Sequence, residues 1–135
     1  MFDAVSFVRV LAFGVVFAGI EYRYINRREA EWTKKMEGFY EKPAFWVFSP
    51  YHTFLLLPLF LVAGFTFPIT AWAGNVFLLA VVEDIAYFAW RGKKVAKGEW
   101  TTTLFGSFSI GGLLVPVWWP LDVLIAAFLY WIPFF

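Results

Sequence analysis

The chain has 135 residues, of which 61% are hydrophobic, 24% aromatic and only 16% charged. A soluble domain of this size needs far more charge to cover its surface. A net charge of +1 leaves no nucleic-acid footprint, and the absence of cysteine excludes disulfides, thiolate metal sites and thiol nucleophiles.

The charges are also unevenly placed. From Pro43 to Val82 no residue is formally charged, and from Trp100 to Phe135 the single charge is Asp122. Such runs exceed the ~20 apolar residues that cross a bilayer. The expected fold class is all-α, a polytopic integral membrane protein with four transmembrane helices in one bundle over residues 1–135. The spans are placed at about 2–22, 44–67, 71–90 and 113–132.

The first span starts after Met1-Phe2-Asp3, which lacks the basic n-region of a signal peptide, so the span is expected to be retained. Arg9 interrupts it. Three readings are open for Arg9: snorkelling to the outer interface, pairing with Asp3, or neutralising a buried carboxylate on a neighbouring helix. Gly14, Ala18 and Gly19 form a small-residue face, and Gly14-x-x-x-Ala18 permits close helix approach.

Residues 21–42 carry six basic and five acidic residues. Arg27–Glu31 and Glu31–Lys35 are spaced for i,i+4 pairs, and Trp32, Met36, Phe39 and Tyr40 form an apolar stripe. Residues 23–42 are therefore expected to be a cytoplasmic amphipathic stretch, closed by Gly38 and Pro43. The next span contains Ser49-Pro50, a helix-start signal that puts Tyr51 and His52 in a first turn. The third span carries Asn75, Glu83, Asp84 and Tyr87. Four basic residues follow between Arg91 and Lys97. Residues 99–112, rich in Thr, Ser, Gly and Phe, read as an interfacial or re-entrant stretch before the last helix.

Lysine and arginine placement sets the orientation. The loops at 23–42 and 91–100 are basic, while the turn between the second and third spans is uncharged. The expected location is the cell membrane, multi-pass, with both loops cytoplasmic and both termini outside. The two halves are similar: Glu31-Trp32-Thr33 recurs as Glu99-Trp100-Thr101, and Pro50-Tyr51-His52 as Pro120-Leu121-Asp122. This is read either as a tandem repeat of two helical hairpins or as coincidence in an aromatic-rich chain.

An ionisable residue at membrane depth is a functional-site candidate. At ~1.5 Å rise per residue, Glu83 lies roughly 12 Å, His52 roughly 13 Å and Asp122 about 15 Å inside the cytoplasmic boundary. These three and Asp84 are the candidate catalytic residues, with Glu21, Tyr87, Arg91, Asn75 and Arg9 in supporting positions. Adjacent helical residues diverge by ~100°, so Glu83 and Asp84 cannot both point at one centre. Carboxylates and an imidazole are ligands for a divalent metal (Mg, Mn, Zn or Fe), which makes Glu83, Asp84, His52 and Asp122 the metal candidates. Proton donation by a carboxyl buried among aromatics is the metal-free alternative. Each residue also has a structural reading: Asp122 as a helix cap, His52 as a satisfied interior histidine, and the two acids as partners of Arg9 or Arg91.

The segment Glu83-Asp84-Ile85-Ala86-Tyr87-Phe88 resembles the paired-acid, aromatic-ended segment of membrane carotenoid (lycopene) cyclase domains. That resemblance implies acid chemistry on an isoprenoid by buried carboxyls. Three functions follow as expectations. The first is an enzyme acting on a lipid or isoprenoid substrate from the cytoplasmic half. The second is a proton- or cation-coupled transporter or channel subunit working as a homo-oligomer. The third is a non-catalytic membrane assembly subunit. Membrane lipid is the surrounding partner in all three.

Overall fold

The computed structural model describes residues 4–25 and 51–132, with side chains for all of these except Trp100 and Thr103. The chain is mostly helical, and among the described residues two helices are long and apolar enough to cross a membrane. They are α1 (Ala4–Ile25) and α3 (Ile69–Arg91). Two shorter apolar helices accompany them, α2 (His52–Ala63) and α5 (Trp118–Trp131). A single helical turn, α4 (Trp100–Thr103), and a two-stranded antiparallel hairpin, β1 (Ser107–Ile110) and β2 (Leu113–Pro116), lie between α3 and α5.

Local chemistry explains the breaks. α1 is α-helical to Ile20 and closes in a π-helical turn, Glu21–Ile25. α2 opens in a π-helical turn, His52–Leu56, where the Leu57 N–H reaches back five residues to the His52 carbonyl. Pro58 follows directly and has no N–H with which to continue the ladder, so the wider turn lies just before the residue that cannot donate. α3 starts after extended Pro68 and stops at Gly92, whose φ of +65° is a left-handed cap that glycine adopts at little steric cost. Its 23 residues rise about 34 Å, enough for a ~30 Å hydrocarbon core.

α3 is the central element and packs along both α1 and α5, with α2 on a smaller contact. The small residues of α1 make the first contact possible. A Cβ on Gly14 would lie 2.7 Å from Val82 Cγ1 and 3.4 Å from the Glu83 backbone nitrogen, so the helices touch backbone to side chain there. Ala18 is fully buried, and Gly19 lies against the Trp90 ring. Val10, Phe17, Phe60 and Leu79 form the apolar centre, with Phe17 edge-on to Phe60 at 6.5 Å.

The hairpin corrects the all-α expectation. Ile110 pairs with Leu113 around Gly111-Gly112, both at positive φ (57° and 79°), as a two-residue hairpin turn requires. The Val117 N–H donates to the Gly106 carbonyl and closes the hairpin base. The stretch 99–112 therefore consists of a helical turn and most of a hairpin. Residues 113–116, expected in the last helix, are strand instead, and that helix begins at Trp118. Most of the amphipathic stretch 23–42, with Gly38, Pro43, Ser49-Pro50 and the first-half triplet Glu31-Trp32-Thr33, lies outside the described residues.

Candidate functional site

Asp84 sits on α3 about two turns before its C-terminal end and is 4% exposed. Its Oδ2 accepts two hydrogen bonds, one from the Thr101 hydroxyl and one from Trp119 Nε1, each at 2.8 Å. Thr101 is fully buried on α4, and its hydroxyl and carbonyl oxygens share the Trp118 Nε1 proton at 3.1 Å each. One carboxylate oxygen thus ties α3 to α4 and to the start of α5. Donors that face a carboxylate make stronger bonds than neutral pairs, so this joint outweighs one between neutral side chains.

The path from α3 to Thr101 is shaped by its own polar contacts. Gly92 ends the helix, and the Arg91 guanidinium turns over the Phe88 ring at 4.6 Å to pair with Glu99 at 2.5 Å. Glu99 also accepts from the Ala96 N–H at 3.2 Å, and the Thr102 hydroxyl donates to the Glu99 carbonyl at 2.8 Å. This compact turn delivers Thr101 to Asp84. Arg91 is therefore committed to Glu99 rather than to either helix acid.

The other candidates are distributed around this joint. Glu83 is buried on α3, where its backbone nitrogen meets Gly14 of α1. Its side chain diverges from that of Asp84, as helical geometry requires. Asp122 lies one helical turn after Trp119 and is half-buried. His52 opens α2, with its ring edge-on to Tyr51 at 5.2 Å. Tyr87 stands edge-on to Tyr22 at 6.1 Å, beside Glu21 in the π-helical end of α1. Among the described residues no three His, Asp or Glu side chains are grouped where they could hold one metal ion. The expected metal set of Glu83, Asp84, His52 and Asp122 is not assembled, because Asp84 turns to Thr101 and Trp119 on a face of its own.

A second polar joint lies about nine residues along α3, near its opposite end. Asn75 is 1% exposed; its Nδ2 donates to the Gly64 carbonyl at 2.7 Å, and its Oδ1 accepts from Tyr130 Oη at 2.5 Å. It holds the end of α2 and the far end of α5 to α3. Arg9 donates to Ser6 Oγ and to the Phe65 carbonyl in the turn between α2 and α3. These contacts join α1 to that turn, and no ion pair of Arg9 with a buried carboxylate is found among the described residues; Asp3 lies outside them.

Sequence reasoning did not single out Thr101, Trp118, Trp119 or Tyr130 as site residues. A usable signal existed in the tandem Trp118-Trp119, since a buried indole N–H needs an acceptor and acceptors are few in this chain. Beside the Asp84 joint, Phe88, Ala89, Leu114 and Trp119 wall an open-sided groove of about 370 Å³, with Lys93 and Lys94 at its mouth.

No protein-family model matches this chain, and no curated protein or solved structure shows significant similarity to it. The likeness of residues 83–88 to lycopene cyclase domains thus rests on that segment alone.

Proposed function

We propose that this is a four-span membrane protein with both termini outside, and that it serves as a non-catalytic assembly subunit. Its cytoplasmic face, made of loops 23–42 and 91–100, is the surface offered to a partner. The observation that carries this reading is the engagement of the Asp84 carboxylate. Its Oδ2 is occupied by Thr101 and Trp119, so the most conspicuous acid of the chain holds the cytoplasmic turn and α5 in register. That is the work of a joint rather than of a proton donor presented to substrate. The lysine and arginine bias of the loops supports the orientation.

The test is untargeted. Purified protein in vesicles of native lipid extract, with added isoprenoids, is compared with Asp84→Asn by mass spectrometry of the lipids after incubation. The expected result is the same lipid profile for both. A product made by the wild type and missing with Asp84→Asn overturns this reading.

That outcome would install the second reading, an enzyme acting on a lipid or isoprenoid. One observation favours it: Trp119 both donates to Asp84 and walls the groove, so a chain in the groove lies one indole away from the carboxylate.

A further inference from the structure

The groove beside α3 joins two kinds of surface. Its floor is Phe88 and Ala89 of α3, its far wall is Leu114 of β2 with Trp119 of α5, and its lining is predominantly apolar. Its volume of about 370 Å³ is in the range of small-molecule sites. The mouth, just past the end of α3, carries Lys93 and Lys94, both exposed. Glu99, the one acid between Arg91 and Trp100, is already paired with Arg91. Lys93 and Lys94 therefore place positive charge beside an open apolar groove.

We infer that this groove binds an anionic phospholipid of the cytoplasmic leaflet, with an acyl chain between α3 and β2 and the phosphate at Lys93 and Lys94. Charge complementarity selects the headgroup. The open side selects a lipid, because it continues onto exposed Ile85 of α3, a surface that faces acyl chains once the protein is embedded. Basic residues at the end of a span also serve topology. The apolar groove next to these two is what turns a diffuse attraction into a site. Lys97 stands outside the groove lining and provides the internal control.

The inference rests on the membrane placement proposed above, though not on the assembly role. Full-length protein is reconstituted in vesicles of equal phosphatidylglycerol and phosphatidylcholine, floated after carbonate washing, and then released for native mass spectrometry of retained lipids. The wild type is expected to float and to retain phosphatidylglycerol over phosphatidylcholine by about 25-fold, at about fivefold per lysine. Lys93→Gln with Lys94→Gln abolishes the preference while total retention falls little. Ala89→Phe, which fills the floor without changing charge, lowers retention of both lipids. Lys97→Gln leaves the preference as in the wild type. Equal retention of the two lipids by the wild type overturns the site. So does a preference lost equally with Lys97→Gln, since that marks unlocalised charge. Failure to float overturns the membrane placement and the site with it.

Discussion

Replacing Asp84 by alanine removes the acceptor for two donors, the buried Thr101 hydroxyl and the part-buried Trp119 indole N–H. In water-soluble proteins a hydrogen bond to a charged group contributes about 1.5–3 kcal/mol. Inside bilayers measured couplings run lower, about 0.6 kcal/mol on average and up to ~1.7, because unfolded helices in lipid also find partners. Two bonds at the upper end of that range, with two donors left unpaired, give about 2–4 kcal/mol for Asp84→Ala. Asparagine keeps an oxygen in place of Oδ2 and loses mainly the charge assistance, so Asp84→Asn is expected to cost about 1 kcal/mol. The assay is reversible unfolding in mixed dodecylmaltoside and dodecyl sulfate micelles, followed by near-ultraviolet circular dichroism. A double-mutant cycle with Thr101→Val isolates one bond and is expected to give a coupling near 1–2 kcal/mol. If Asp84→Ala is as stable as the wild type, or asparagine costs as much as alanine, the carboxylate is not a joint and the argument fails.

Three further outcomes follow from contacts elsewhere in the bundle. Gly14→Ala drives a Cβ to 2.7 Å from Val82 Cγ1 and should destabilise by about 1–3 kcal/mol in the same assay, whereas Gly92→Ala meets no atom and pays only for its positive φ, about 1 kcal/mol. Tyr130→Phe removes the donor to Asn75 Oδ1; a loss of about 1 kcal/mol is expected, and none at all when Asn75→Ala is already present. Replacing Gly111 and Gly112 together by valine forces two β-branched residues to positive φ, which should open the hairpin and speed cleavage between Ile110 and Leu113 by added protease.

Much of this architecture was legible in the residues themselves. The apolar stretches at about 2–22 and 71–90 located α1 and α3, and the Gly14, Ala18 and Gly19 face anticipated a close helix contact that the structure gives to α3. Asn75 stood out as a polar side chain in an apolar run, and it proves to be a joint. The hairpin was missed because Leu113-Leu114-Val115-Pro116 has the same apolar composition as the helix that follows it. The local signal lay in Gly111-Gly112 between two short apolar segments. The partners of Asp84 were missed for a different reason. Thr101 and Trp119 lie 17 and 35 residues away, and no periodicity within one helix reports which loop folds back on it. Depth arithmetic placed the acids on comparable levels but said nothing of azimuth, and azimuth decides which side chains meet.

The hairpin also fixes where water must be. The two-stranded sheet has two outer edges whose amide and carbonyl groups find no neighbouring strand among the described residues. Hydrocarbon does not tolerate such edges, since each unsatisfied group costs several kcal/mol there. Despite its apolar residues, β1–β2 would on the proposed membrane placement ride among hydrated headgroups. The hairpin is held between α4 and α5, whose Thr101 and Trp118 are hydrogen-bonded to each other, so its height follows that of the bundle. In the membrane placement proposed above the protein thus carries its own waterline: any tilt or vertical slip that submerged the hairpin would strip solvent from its edges.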